Sequence, residues 1–184
     1  MKRDREINLP DYNSKADILY RDYYEFVEFI QKHPEESLSG EFCIAAILRI
    51  FYSIHSNTAN TLSAFQVDTL MKKVDTAIKS DSEFQPIIEY KKVKYGFIPS
   101  FKDITYGELV DMEACIKANN KIALTSILYR PIVKQSKLDY IIEPYNSYDA
   151  DRFSNITLDI IEGYEKLFMK SYNDLSNHIL SFTA

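Results

Sequence analysis

The sequence predicts a mainly helical α+β protein, a helical bundle with a small antiparallel β-hairpin or three-stranded sheet. Apolar residues recur at helical spacing over most of the 184 residues, as in amphipathic helices. Residues 85–98 are instead rich in β-branched and aromatic side chains, which is typical of strands. The chain is 46% hydrophobic and 27% charged, values ordinary for a globular protein, so disorder of the whole chain is a poor interpretation.

The beginning of the chain differs from the rest in composition. Residues 1–16 are polar and predict an extended N-terminal arm without a core of its own, either disordered or ordered by a neighbour. Residues 17–184 are expected to form a single helical domain, with the β-hairpin inserted near residues 85–98.

Three helices are predicted before the hairpin. The first is rich in aromatic residues and runs from about Asp22 until Pro34 ends it, because a residue before proline disfavours the α region. Ser39 is the predicted N-cap of a second helix over about 40–55. After a short polar break, Thr61 is expected to open a third helix that ends near residue 79. Helices joined by a short loop usually pack antiparallel.

The hairpin and the next helix have local sequence signatures. Pro86–Tyr90 and Val93–Ile98 are the two predicted strands. Thr105 and Glu108 have the spacing of a capping box, in which the N-cap and N3 side chains each bind the other's backbone N–H. They predict a helix that ends near Ala118.

The remaining segments predict two helices and a strand. A helix over about 121–129 should be stopped by Pro131. Residues 139–145 predict a strand that could join the hairpin as a third. A cap at Ser154 or Asn155 should open a long last helix, to about residue 181, because apolar residues there recur at spacings of three and four.

The composition excludes several function classes. The net charge of −5 argues against a protein that coats nucleic acid. Cys43 and Cys115 lie in apolar helical patterns and are interpreted as reduced core thiols. The three histidines lack the spacing of a metal site or a catalytic triad. The sequence therefore favours a structural or assembly component over an enzyme, with no catalytic, cofactor-binding or metal-binding residue.

No membrane or secretory segment is expected. The first ten residues are charged and lack an apolar region, so no secretory signal is predicted. The longest apolar run is interrupted by Arg49 and is too short to span a bilayer. A soluble protein made in a cytoplasm is the expectation.

Lysines alternate with tyrosines in the predicted hairpin, where Lys91, Lys92 and Lys94 lie between Tyr90 and Tyr95. Such a pattern can bind nucleic acid by charge and stacking. The alternative, which we favour from the sequence, is a hairpin whose lysine-bearing face is exposed to solvent and blunts an exposed edge.

Aromatic residues suggest protein interfaces. The chain has 14 tyrosines and 11 phenylalanines, and amphipathic tyrosines suit such surfaces. The aromatic first helix supplies the candidate interface residues Tyr20, Tyr23, Tyr24 and Phe26. Arg130 has two open interpretations: it could meet the negative end of a helix dipole, or hold a carboxylate of a partner chain.

Three segments together resemble a known family. GFIPSFKDITYGELVDME at 96–113, SILYRPIV at 126–133 and DYIIEPYNS at 139–147 are similar to segments found in this order in structural proteins of tailed bacteriophages. The resemblance covers roughly residues 85–170 and is nearest to ring proteins between portal and tail in crAss-like phages. The pair ILYRPI and IIEPY is its more specific part, and it adds Tyr145 to Arg130 as a candidate interface residue.

The resemblance implies a virion protein in a homo-oligomeric ring, expected to be dodecameric, at the head–tail connector. Its partners would be the portal and other tail or ring proteins, with passing contact with genomic DNA and none with membrane. The protein would be in the host cytoplasm during assembly and in the virion tail afterwards. The alternative is a phage tail-assembly chaperone not retained in the virion, and a third is a small enzyme with an unrecognised site.

Overall fold

The chain folds as an α+β protein with one antiparallel sheet. The structure, a computed structural model, describes residues 9–34, 40–137 and 139–180, with residues 173–180 as backbone only. Its helices are α1 (Tyr20–Lys32), α2 (Gly40–Tyr52), α3 (Ser56–Ala59), α4 (Ala64–Lys79), α5 (Tyr106–Lys117), α6 (Lys121–Leu128) and α7 (Leu158–Leu180). Its strands are β1 (Ile87–Tyr90), β2 (Val93–Phe97), β3 (Tyr129–Gln135) and β4 (Tyr140–Ile142).

Contacts divide the chain into two compact units. The first comprises Met1–Asp81 and Thr157–Asp159, and the second comprises Ser82–Ile156 and Ile160–Ala184. The single domain expected over 17–184 stays a prediction, because a division by contacts does not test whether the two units fold together. Of the predicted arm, residues 1–8 lie outside the described residues.

The first unit is built from helices around an aromatic core. Helix α2 contacts both α1 and α4. Tyr12, from the segment expected to be an arm, is buried, and its hydroxyl donates a hydrogen bond to the carbonyl of Phe51 at 2.6 Å. The rings of Phe51 and Tyr52 meet the Tyr12 ring edge-on, at 5.9 and 5.3 Å between centroids. Residue 12 is therefore part of this unit's core.

Helix α4 begins later than predicted. Ser63, rather than Thr61, is its N-cap: the hydroxyl of Ser63 accepts from the backbone N–H of Gln66 at 3.2 Å, and the Gln66 side chain accepts from that of Ser63 at 2.8 Å. The reciprocal pair needs Glu or Gln at N3, a condition that Thr61 does not meet because Ala64 follows it by three. The short helix α3 lies in the expected polar break, and the predicted cap Ser39 lies outside the described residues.

The sheet belongs to the second unit and has the order β1-β2-β3-β4, all antiparallel. The predicted hairpin is confirmed: β1 and β2 pair from Ile87 opposite Gly96 to Tyr90 opposite Val93. The prediction of at most three strands is wrong, because the chain continues beyond α6 as strand β3. The segment expected as a third strand is β4, which pairs with β3 instead of the hairpin.

Pro131 explains why β3 was missed. Proline cannot donate to a sheet ladder and usually indicates the end of an element. In β3, Pro131 lies opposite Tyr95, and its carbonyl still accepts a hydrogen bond from the N–H of Glu143 at 2.8 Å. It marks the end of α6, as predicted, but the chain extends into a strand rather than a loop.

The predicted capping box of α5 is confirmed, whereas the last helix begins later than expected. The Thr105 hydroxyl accepts from the backbone N–H of Glu108 at 3.2 Å, and the Glu108 carboxylate accepts from that of Thr105 at 2.7 Å. Ser154 is not a helix cap but part of a turn, where its N–H donates to the carbonyl of Asp151 at 3.0 Å. Helix α7 begins only at Leu158.

Candidate functional site

Arg130, in β3, lies at the centre of a polar cluster in the second unit. Its Nη1 atom is 3.0 Å from Oε1 of Glu108, in the first turn of α5. Its guanidinium carbon is 5.8 Å from the ring centroid of Tyr145, which follows β4. The hydroxyl of Tyr145 in turn donates to the carboxylate of Asp111. These four residues form the Arg130 cluster, and the three segments that resemble phage proteins each contribute to it.

The capping box positions Glu108 for its ion pair. One carboxylate oxygen, Oε2, is held by the N–H of Thr105, which leaves Oε1 to face Arg130. The side chains of Glu108 and Arg130 are only 3% and 13% exposed. Glu108 Oε1 and Arg130 Nε form no hydrogen bond with any described residue. The contact is therefore an ion pair without hydrogen-bond alignment, and each residue keeps one buried polar atom without a hydrogen bond.

Burial decides the protonation of this cluster. Removal from water lowers the pKa of Arg130, while the negative charge of Glu108 opposes that change. Burial, followed by the hydrogen bond to Asp111, raises the pKa of Tyr145. Tyr145 therefore remains a neutral hydrogen-bond donor to Asp111 at neutral pH.

This arrangement supports a structural role for Arg130. Its charge is balanced by Glu108 and covered by the Tyr145 ring, a cation–π geometry. Arg130 lies in strand β3, directly after α6, and pairs with a carboxylate of its own chain. Its contact with a helix dipole or with a partner's carboxylate stays a prediction. The capping motif identified Glu108 only as a cap, and no sequence signal identified Asp111.

The aromatic residues of α1 lie in the first unit and are largely engaged there. Tyr20 is buried, whereas Tyr23, Tyr24 and Phe26 are half-buried. The ring centroids of Tyr20 and Tyr24 are 5.9 Å apart, and the Phe26 ring meets that of Phe51 edge-on at 5.8 Å. Tyr20 thus offers little surface to a partner. The interface role of this set stays a prediction.

Several large apolar side chains that the sequence did not single out are exposed. Tyr106 and Val110, 81% and 46% exposed, are four residues apart on α5 and share one face. Val133 of β3 and Ile141 of β4, 61% and 55% exposed, lie on neighbouring strands. Groups of exposed apolar residues often indicate interaction surfaces. Tyr106 and Val110 lie on the side of α5 opposite the buried Glu108, Met112 and Cys115.

An apolar depression is present in each unit. In the second unit a cavity of about 220 Å³ lies beside Leu124 and Phe168, and the ion pair of Lys121 with Glu165, at 2.6 Å, borders it. In the first unit an open groove is lined mainly by apolar residues, among them Phe26 and Met71. Cys115 also lines the cavity of the second unit.

Metal-binding clusters and membrane-spanning helices are both absent from the described ranges. These ranges contain no group of three or more His, Cys, Asp or Glu side chains placed to hold a metal ion. No helix in these ranges combines the length and apolar composition needed to cross a membrane. Of the two cysteines, Cys43 is half-buried and Cys115 is buried.

Together these features define an α+β protein with a buried polar cluster and exposed apolar side chains on helix and sheet. Comparison with protein families, curated proteins and solved structures found no match to this chain. The phage resemblance therefore rests on the three sequence segments alone.

Proposed function

We propose that this chain is a structural virion protein of a tailed bacteriophage. It forms a homo-oligomeric ring in the head–tail connector and joins portal to tail around the DNA channel. Its mechanism is assembly rather than catalysis: in a closed ring, one surface of each copy is buried against a different surface of the next. Arg130 and Tyr145 act within the chain, by fixing the subunit that assembles.

The observation that carries the proposal is the convergence of the three resembling segments on the Arg130 cluster. Glu108, Arg130 and Tyr145 come from different segments, and the first and last both contact Arg130. The resemblance therefore describes one three-dimensional unit instead of three separate stretches of sequence. This supports a shared subunit architecture with the phage ring proteins.

The exposed apolar pairs supply surface for neighbours. Tyr106 and Val110 are on a helix, whereas Val133 and Ile141 are on the sheet, so two different elements expose apolar side chains. A ring interface needs two such non-identical surfaces. Burying them would gain roughly 25 cal/mol per Å² of apolar area removed from water.

Light scattering of the purified protein tests the proposal. Twelve copies of the 21.5 kDa chain would give a discrete particle of about 260 kDa. The variant Tyr106→Ser/Val110→Ser should dissociate it to a folded monomer, with the helix content measured by circular dichroism unchanged. The control, Lys72→Ser, changes a 74% exposed residue of α4 in the first unit and should leave the particle intact.

Analysis of purified virions separates the ring from the chaperone alternative. A ring protein is present in a fixed copy ratio to the portal, even where the ring forms only on a portal template. A chain that is monomeric in solution and missing from finished virions would contradict the ring and favour the chaperone.

A further inference from the structure

The turn of the β1–β2 hairpin has an unusual backbone for its residues. Tyr90 and Val93 are the last paired positions, so Lys91 and Lys92 alone form the turn. Their φ angles are +51° and +66°, in the left-handed region. Two positive φ angles are typical of a type I′ turn, which strongly favours Asn-Gly because a Cβ crowds the backbone there. Lysine also lacks the short polar side chain that helps asparagine adopt this conformation.

Strained positions such as these are rare in the chain. Among the residues that the structure describes, four non-glycine residues have positive φ, and the two turn lysines are the only adjacent pair. Other residues adopt this conformation more easily than lysine does. Backbone strain of this kind often accompanies a functional role of the side chain. Here the two side chains share one property, their positive charge.

The lysine tip, defined as Lys91, Lys92 and Lys94, is exposed, and in the hairpin register Lys94 lies opposite one carboxylate, that of Glu89. None of the three forms an ion pair with a described residue, although the ammonium group of Lys91 lies 5.1 Å from the Tyr90 ring centroid. On α4, by contrast, Lys72 pairs with a carboxylate one turn earlier, at 2.8 Å. The hairpin 87–97 has a formal charge of +2, from three lysines and one glutamate, in a chain of net charge −5.

The neighbouring aromatic rings are not available for stacking on a ligand. Tyr95 is buried, and its ring lies edge-on to that of Phe153 at 5.0 Å. Tyr90 also packs on Phe153, at 5.1 Å, and its hydroxyl accepts from the N–H of Asn155 at 3.2 Å. The tip therefore exposes charge without the free aromatic rings on which single-stranded bases stack.

Charge without an apolar centre favours phosphate over protein as the partner. Lysine is depleted in protein interfaces, whose energy comes mostly from buried aromatic and apolar anchors. At the tip only Val93, 42% exposed, could serve as such an anchor. Lysine is a compact point charge that suits phosphate contacts without a fixed geometry. A two-stranded β-ribbon also has the width that the major groove of DNA admits.

We propose that the lysine tip binds the phosphate backbone of duplex DNA by charge alone, without base recognition. The contact is weak and strongly dependent on salt, because only three cations take part and the carboxylates of Asp149 and Asp151 lie in the loop that leads to Phe153. The inference does not rest on the proposed ring, since a single copy carries the whole tip.

Fluorescence anisotropy with a labelled 30-base-pair duplex tests this binding in the full-length protein. If three phosphates are neutralised, the slope of log K against log salt concentration is about −2.7, so affinity should fall about forty-fold between 50 and 200 mM salt. Duplexes of different sequence should bind equally. A single strand should bind no more tightly than the duplex.

The decisive variant is Lys91→Asn/Lys92→Gly. It removes two charges while giving the turn its preferred residues, so it should raise the thermal midpoint and still lower DNA affinity at 50 mM salt at least ten-fold. Lys94→Gln should make the salt slope shallower by about one unit. The control Lys72→Gln/Lys79→Gln removes the same charge from the first unit and should change affinity less than two-fold.

Three results would overturn the proposal: no duplex binding at 50 mM salt, unchanged binding after the Asn-Gly replacement, or an equal loss in the α4 control. If the wild-type protein does not bind DNA but its lysine tip binds polyglutamate, the partner is an acidic protein instead.

Discussion

The two units hold their charges in different ways. In the first unit, Lys72 pairs with Asp68 and Lys79 with Asp75 along α4, and every one of these side chains is more than half exposed. In the second unit, Arg130 and Glu108 form their pair out of contact with most of the solvent. Water screens the first kind, which is worth about 0–1 kcal/mol. Loss of one partner from the second kind leaves a buried charge uncompensated.

The comparison teaches that burial decides what an ion pair does for a fold. The first unit could lose any surface pair and keep its aromatic core around Tyr12 and Phe51. In the second unit, the start of α5, strand β3 and the segment after β4 all meet at Arg130. Substitutions should therefore have unequal effects in the two units.

The largest effect is expected from Arg130→Ala. It leaves the Glu108 carboxylate buried without its cation, so the free energy of unfolding should fall by about 3–5 kcal/mol. The matched control is Arg49→Ala in the first unit, because Arg49 pairs with Glu25 at 3.2 Å while both are about half exposed. That change should cost about 1 kcal/mol at most, because the exposed pair and the contact of Arg49 with the Phe29 ring, at 5.2 Å, are both weak. Urea unfolding of both variants measures the difference.

A double variant separates the charge from the packing. In Arg130→Met/Glu108→Gln both charges are absent, and the side chain at 108 can still accept from the N–H of Thr105. Most of the lost stability should return, because no buried charge is left uncompensated. Equal destabilisation by Arg130→Ala and Arg49→Ala would show that the buried pair contributes no more to the free energy of unfolding than the exposed pair.

The next effect comes from two helical glycines of the second unit. A Cβ added at Gly163 on α7 would collide with the carbonyl oxygen of Glu83 and lie 3.0 Å from its carbonyl carbon. At Gly107 on α5, the nearest atom would be 3.9 Å away. Gly163→Ala should therefore destabilise by about 1–3 kcal/mol, because backbone must move. Gly107→Ala should stabilise by about 0.5–1 kcal/mol, the usual gain of alanine in a helix.

Thermal unfolding of the two glycine variants gives opposite shifts of the midpoint if this packing is present. A rise in both midpoints would mean that the approach of α7 to Glu83 is looser than the structure describes.

The local parts of this fold could be predicted from the sequence. The β1–β2 hairpin and the Thr105–Glu108 capping box each depend on residues close in the chain, and both are confirmed. Strand β3 could not be predicted, because a proline such as Pro131 usually indicates the end of an element. Whether a strand can contain it depends on the neighbouring strands, which lie far along the chain. The polar break does not determine at which residue α4 begins. The signal for Ser63 as its N-cap is the glutamine at N3.

The candidate site was only partly predictable for the same reason. Arg130 is a candidate from its place at the end of a predicted helix, and Tyr145 from the resembling segments. Their contact with each other depends on the register of strand β3, which the sequence did not predict. The capping-box motif predicts the bond between Glu108 and the N–H of Thr105. It does not predict that the second carboxylate oxygen of Glu108 pairs with Arg130. The position of Tyr106 on α5 predicts that its side chain is exposed. It does not predict how much of the ring is covered by other elements.

A smaller effect should appear in the first unit at alkaline pH. Burial raises the pKa of Tyr12 to about 12, and burial likewise raises that of Tyr52 to about 12. An unfolded tyrosine has a pKa near 10. The stabilisation is therefore complete below pH 10 and is lost as pH rises from 10 towards 12, because the unfolded chain releases its protons first.

Tyr12→Phe should make this alkaline loss of stability shallower. At pH 8 the variant should be about 1 kcal/mol less stable, because the hydrogen bond to the Phe51 carbonyl is lost. Urea unfolding between pH 8 and 11 measures both quantities, and Tyr52→Phe provides an independent repeat. Superimposable pH profiles of wild type and variant would contradict the burial of this hydroxyl.

The smallest effect is expected from Lys79→Ala on α4. Lys79 and Asp75 are 2.7 Å apart, but their side chains are 72% and 60% exposed. A pair with the acid one turn before the base contributes about 0.2–0.5 kcal/mol, and alanine's helix propensity offsets part of that. Salt sharpens the contrast: at 1 M the Debye length is about 3 Å, so the difference between Lys79→Ala and wild type should vanish. The loss caused by Arg130→Ala should persist at the same salt concentration, because ions do not reach a pair that the protein itself covers.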